Sequence, residues 1–216
     1  MGAGYAYNEG CRGAPEKEKQ MIFRIGFVLF AAVACAVPAV AEPFHHPFGE
    51  WREYHRDWLA VCPDVVNEED TSYYGTSCFA STSSQELNSA NLPAYQLTLM
   101  RNRLTGELDV AFTVAADGVE VDLTRPLRLS FAGEPTLSYA FGSDLETRYN
   151  TVNQYYVADP VRKDALIEHM KQRNAVTVTV PVTGTPTAGK SVRLSMRGVL
   201  ASLDFMASYA RRVAQY

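Results

Sequence analysis

The run Gly184-Thr-Pro-Thr-Ala-Gly189-Lys190-Ser191 has the spacing GxxxxGK[ST], in which backbone amides and a lysine cradle nucleotide phosphates. That chemistry needs a buried strand ahead of the loop and a helix directly behind it, with the helix N-terminus facing the phosphate. Behind Ser191 the apolar positions are Val192, Leu194 and Met196, which is strand alternation. Ahead of Gly184, Val176-Thr-Val-Thr-Val180 alternates too, as in a half-solvated antiparallel sheet. Gly, Pro, Thr and Lys are ordinary hairpin residues, so the run reads as a turn between two strands.

Three of the four histidines, His45, His46 and His55, fall close together near the start of the mature chain. Neutral imidazoles suit zinc or copper, and these three are the candidate metal ligands of an alternative reading, a periplasmic metal- or small-ligand-binding protein. Against it, the segment EPFHHPFGEW is broken by Pro43, Pro47 and Gly49. His45 and His46 would also point to opposite faces of any strand. A flexible, solvated arm is expected, and no cofactor is assigned. His169, beside Glu168 on a charged stretch, reads as a surface residue. Glu68-Glu69-Asp70 lacks the ligand alternation and glycine of a known calcium loop and reads as a hydrated loop. The sequence has no GxSxG elbow and no HExxH, so no catalytic residue is named and a non-enzymatic protein is expected.

Export is the frame for these residues. Met21 to Ala41 reads as a cleavable signal peptide, with Arg24 in a short n-region, an apolar run from Ile25 to Val37, and Ala39-Val40-Ala41 ahead of a cut at Ala41/Glu42. The apolar run falls short of the roughly 20 residues that a spanning helix needs, and Pro38 breaks it, so no retained transmembrane helix is expected. Residues 1–20 read as a mis-assigned or disordered extension, with Met21 as an alternative start. Cys35, after Ala32-Val33-Ala34, leaves a lipidation alternative open. Outside the cytoplasm the two remaining cysteines, Cys62 and Cys78, are read as a disulfide. Residues 42–216 carry 16 Lys and Arg against 21 Asp and Glu. Such an acidic domain has no electrostatic footprint for nucleic acid.

Residues 42–54 are expected to be an extended lead-in to a single β-sandwich domain over 55–216. Strand alternation is read at 58–62, 75–80, 95–99, 108–114, 119–123, 127–131, 137–141, 154–157, 176–180 and 192–196, with loops at 67–71 and 81–91. Asp159 before Pro160 predicts a helix N-terminus, with Val161, Leu166, Ile167 and Met170 as its apolar positions. Val199, Leu203, Met206, Ala210 and Val213 predict an amphipathic C-terminal helix ending near Arg211 and Arg212. The expected class is an all-β antiparallel sandwich with two short accessory helices. Trp58 is expected in the core near the disulfide. Tyr73-Tyr74 and Tyr155-Tyr156 would place neighbouring rings on opposite strand faces, which makes these four the candidate interaction surface.

Asp57-Trp58-Leu-Ala-Val-Cys62, Ser77-Cys78-Phe79, Leu166-Ile167-Glu-His-Met170, the Val-Thr-Val-Thr-Val strand and Ser195-Met196-Arg-Gly198-Val199 together resemble the invasion-associated locus B family of exported bacterial proteins. The resemblance implies an immunoglobulin-like β-sandwich in the periplasm or at the cell surface, with Gly198 a structural position. It also implies an envelope accessory or interaction protein, with a protein partner in the envelope or on a host cell. It carries over no catalytic residues.

Overall fold

Period-two stretches become strands wherever one face can be buried. The computed structural model describes residues 42–69, 73–184 and 189–213. The extension, the signal segment with Cys35, and the cut at Ala41/Glu42 lie outside the described residues. The larger sheet is a meander in chain order: Phe44–His46 (β1), Glu50–His55 (β2), Trp58–Pro63 (β3), Ser77–Ser83 (β4), Tyr95–Asn102 (β5) and Leu108–Val114 (β6). Gln154–Val157 (β10) and Leu145–Glu146 (β9) complete it beyond β6. The smaller sheet has the order β12-β11-β7-β8, from Lys190–Ser195 (β12), Ala175–Val180 (β11), Leu127–Phe131 (β7) and Leu137–Tyr139 (β8). Every pairing within the sheets is antiparallel. The all-β sandwich with accessory helices is therefore the observed class.

The inner face of the larger sheet follows from register. Ala60 lies opposite Ala80, Ala80 opposite Leu99 and Leu99 opposite Val110, and all four are fully buried. Leu129, Val178 and Leu194 from the smaller sheet enter the same core. Cys62 and Cys78 are bridged directly across β3 and β4, one step beyond the Val61–Phe79 pair. Trp58 stands four positions from Cys62 on the same strand face, and its indole N–H donates to the Ser195 carbonyl at 2.9 Å. That bond helps tie the larger sheet to the end of β12.

Helices close what the smaller sheet leaves open. Pro160–Gln172 (α2) begins as expected: the Asp159 carboxylate accepts from the Arg162 amide at 2.8 Å, and Pro160 takes the first turn. Its buried residues are Leu166, Ile167 and Met170, whereas Val161 is exposed. Val199–Val213 (α3) lays Val199, Leu203, Phe205 and Met206 on the inner face of the meander. Gly198 introduces it at φ +117, with its backbone pressed against the His55 carbonyl, so that a Cβ there would overlap that oxygen. Among the described residues no helix is long and apolar enough to cross a membrane.

Three expectations change. Residues 42–54 are extended, but β1 and β2 are paired strands of the sheet rather than a flexible arm. The cause is register: Trp51, Glu53 and His55 lie opposite Cys62, Ala60 and Trp58, so α3 can cover them. Residues 119–123 alternate in sequence yet make only the isolated bridge Val121–Val182. There Asp122 accepts from the Thr124 amide at 3.0 Å and from Arg125 Nε at 2.7 Å, and this local turn chemistry overrides the alternation. Finally, Tyr73 and Tyr74 belong to a four-residue helix, Tyr73–Thr76 (α1), so the opposite-face reasoning for a strand does not apply to them. Their side chains lie outside the described residues.

Candidate functional site

The GxxxxGK[ST] run connects β11 and β12, with Val180 paired to Lys190; residues 185–188 lie outside the described residues. The run leads into a strand, Lys190–Ser195, where phosphate binding would need a helix N-terminus. Gly189 has a structural reason: a Cβ there would overlap the Val180 carbonyl across the hairpin. The Lys190 ammonium is held by Glu86 at 2.8 Å, and that carboxylate raises its pKa above the ordinary lysine value.

The three histidines are not brought together. His45 lies opposite Trp51, and His55 sits four positions further along β2, roughly 13 Å away at about 3.3 Å per residue. His46 turns to the other face. His45 Nε2 is 2.6 Å from Asp64, while His46 stacks edge-on against Phe48 with ring centroids 4.5 Å apart. No cluster of three or more metal-ligating side chains occurs among the described residues. His169 is half-buried and stacks on Phe131, with ring centroids 5.4 Å apart.

Tyr155 and Tyr156 are both buried, which removes them from the candidate interaction surface. β10 is covered on each side. Tyr155 enters the main core, while Tyr156 packs with Met100 and Ala111 on the outer face. The Arg148 guanidinium lies over the Tyr156 ring at 5.1 Å, and Tyr149 meets it edge-on. Arg148 is itself anchored by Asp109 at 3.0 Å. Alternation in sequence cannot reveal a covering loop that arrives from elsewhere in the chain.

Two features went unnoticed in the sequence. Beneath α3, Glu53 is buried, and its carboxylate lies 3.6 Å from His55 Nδ1. Burial raises the Glu53 pKa and lowers that of His55, against a smaller opposing pull from Asp204 on α3. Ser202 is buried on the same helix, which gives the residue types of a nucleophile, a base and an acid. However, neither its hydroxyl nor His55 Nε2 has a hydrogen-bond partner among the described residues, which form no such relay. A Glu between Arg52 and Tyr54 on a short strand gives no signal of burial, because the signal lies in its register against Ala60.

The second feature is an open groove of about 1270 Å³ between β12 and the end of β4. One wall is the chain from Thr82 to Glu86, and the other is β12; Arg56, Asp57 and Arg197 close one end. Asp57 accepts from the Ser195 hydroxyl at 2.6 Å, and Glu86 is engaged by Lys190. Arg56, Arg193 and Arg197 make no ion pair among the described residues, so the groove carries an unbalanced positive charge. Lys190, Arg193 and Arg197 are spaced along one strand and its end, and Arg56 joins them from over a hundred residues away, so the sequence shows no basic run.

Fold and groove together define a disulfide-bridged β-sandwich with a helix-covered core and an open, basic surface site. No family model matches the chain, and no curated protein matches it by sequence. Among solved structures it is similar to invasion associated protein B from Bartonella henselae, at 14% identity and a TM-score of 0.49, over 74% of this chain and 98% of that one.

Proposed function

We propose that the chain is an exported, non-enzymatic interaction protein of a bacterial envelope, and that the groove beside β12 receives a protein partner. The signal-peptide pattern at Met21 to Ala41 and the Cys62–Cys78 bridge support a site of action outside the reducing cytoplasm. Both cysteines are held in the bridge, His45 is paired with Asp64 and His169 stacks on Phe131, while Ser202, His55 and Glu53 form no hydrogen-bonded relay. The resemblance of its motifs to those of the invasion-associated locus B family extends the proposal to contact with a host cell.

One observation carries this reading. The large groove is open and lined by polar and charged side chains, whereas small-molecule sites are concave and mostly apolar. A photo-crosslinking residue at the exposed Gln85 on the groove wall, in cells exporting the full chain, is expected to give a discrete protein adduct. The same residue at the exposed Val161 on α2 is expected to give none. Equal adducts from both positions, or none from Gln85, would overturn the proposal.

A further inference from the structure

We propose that β12 accepts an acidic, extended segment of a partner protein as an added strand, with Arg56, Arg193 and Arg197 meeting its carboxylates. This rests on the interaction reading above and names the chemistry of the partner.

Sheet edges come first. The described edge strands are β1 with 3 residues, β8 with 3, β9 with 2 and β12 with 6. Short edges are a means of refusing strange strands. β12 alone among them is long enough to template one.

Its backbone is also aimed correctly. The Ser195 carbonyl points away from β11, since it accepts the Trp58 indole N–H. Alternate residues of a strand direct their backbone groups to the same side. Ser191 and Arg193 therefore turn both amide and carbonyl toward the groove, where no described group bonds to them. The close Thr179–Ser191 hydroxyl contact, 3.0 Å, fits a pair that exchanges no backbone bonds with β11. Val192 and Leu194 face the core, so an added strand would extend the sheet without disturbing it.

Charge then selects the occupant. The whole chain has a formal charge of −4, yet the groove holds Arg56, Lys190, Arg193 and Arg197 against only Asp57 and Glu86. A second copy of β12 would bring Lys190 and Arg193 against the same cations, and like charges across strands destabilise pairing. Main-chain bonds would supply affinity, and alternate side chains would supply selectivity.

The probe is a fluorescein-labelled peptide of alternating Glu and Val, titrated by anisotropy against the full exported protein at low and moderate salt. Binding is expected, weakening as salt screens the charges, together with amide chemical-shift changes at Ser191 and Arg193. Arg193→Glu, at an exposed position, is expected to weaken binding roughly tenfold with an unchanged melting temperature. A peptide N-methylated at alternate residues keeps every charge but cannot complete the ladder, and it is expected to bind at least about tenfold more weakly. Equal affinity for the methylated peptide, no effect of Arg193→Glu, or shifts confined to another strand would each overturn strand addition. If the Gln85 adduct forms in those cases, the interaction reading survives; if it fails as well, both readings fall.

Discussion

Glu53 and His55 place two ionisable groups under α3, and their opposite shifts make stability depend on pH. The His55 pKa lies below its ordinary 6.5, so below that pH the unfolded chain binds more protons than the fold, and acidification destabilises. The Glu53 pKa lies above its ordinary 4.5, so the fold binds more protons there, and the stability it contributes is lost as pH rises through the shifted value. The two slopes partly cancel. Glu53→Gln removes one of them together with a buried charge. The variant is expected to unfold at higher urea than the parent at pH 7.5, and to lose more stability than the parent on moving to pH 5.5. Equal losses in the two proteins would show that Glu53 is not coupled to folding.

At the scale of elements, α3 was legible because its apolar positions recur at helical spacing, and the structure gives it the expected bounds. Met206 lies fully buried beneath it while Leu200 is exposed. Met206→Ala should therefore cost about 2–5 kcal/mol in urea unfolding, and Leu200→Ala within about 0.5 kcal/mol of zero. A similar cost for both would contradict the orientation of the helix. β1 and β2 were not legible as strands. Pro43, Pro47 and Gly49 fall around and between them and resemble a loop signature, and only pairing with β3 makes two short strands worth ordering. Residues 119–123 misled in the other direction, since their alternation was real but Asp122 formed a turn in its place. Tyr156 shows the same limit for a side chain: period two predicts its face, but not that Arg148 and Tyr149 return to cover it.

For the molecule as a whole, the bridge between β3 and β4 joins two adjacent strands of the meander, its cysteines 16 positions apart in sequence. Replacing both cysteines, Cys62→Ser with Cys78→Ser, should cost roughly 3 kcal/mol in the chain-entropy picture, read as a lower urea midpoint. The parent treated with reductant should move toward the same midpoint, while reductant should leave the double variant unchanged. A parent indifferent to reductant would remove the bridge from the stability of the fold. The groove likewise belongs to this scale, because the smaller sheet, the turn before β3 and the end of β4 each contribute only part of it.

The antiparallel strands of the core, both long helices and the hairpin nature of the GxxxxGK[ST] run were legible because each depends on the spacing of residues near one another in the chain, and the expectation of export left Cys62 and Cys78 to pair. Tertiary structure alone decided that Glu53 is buried, that Tyr155 and Tyr156 are covered, and that Arg56, Arg193 and Arg197 converge beside an open sheet edge. The physical reason is that burial and electrostatic convergence depend on which distant segments meet, and no periodicity along the chain encodes that meeting.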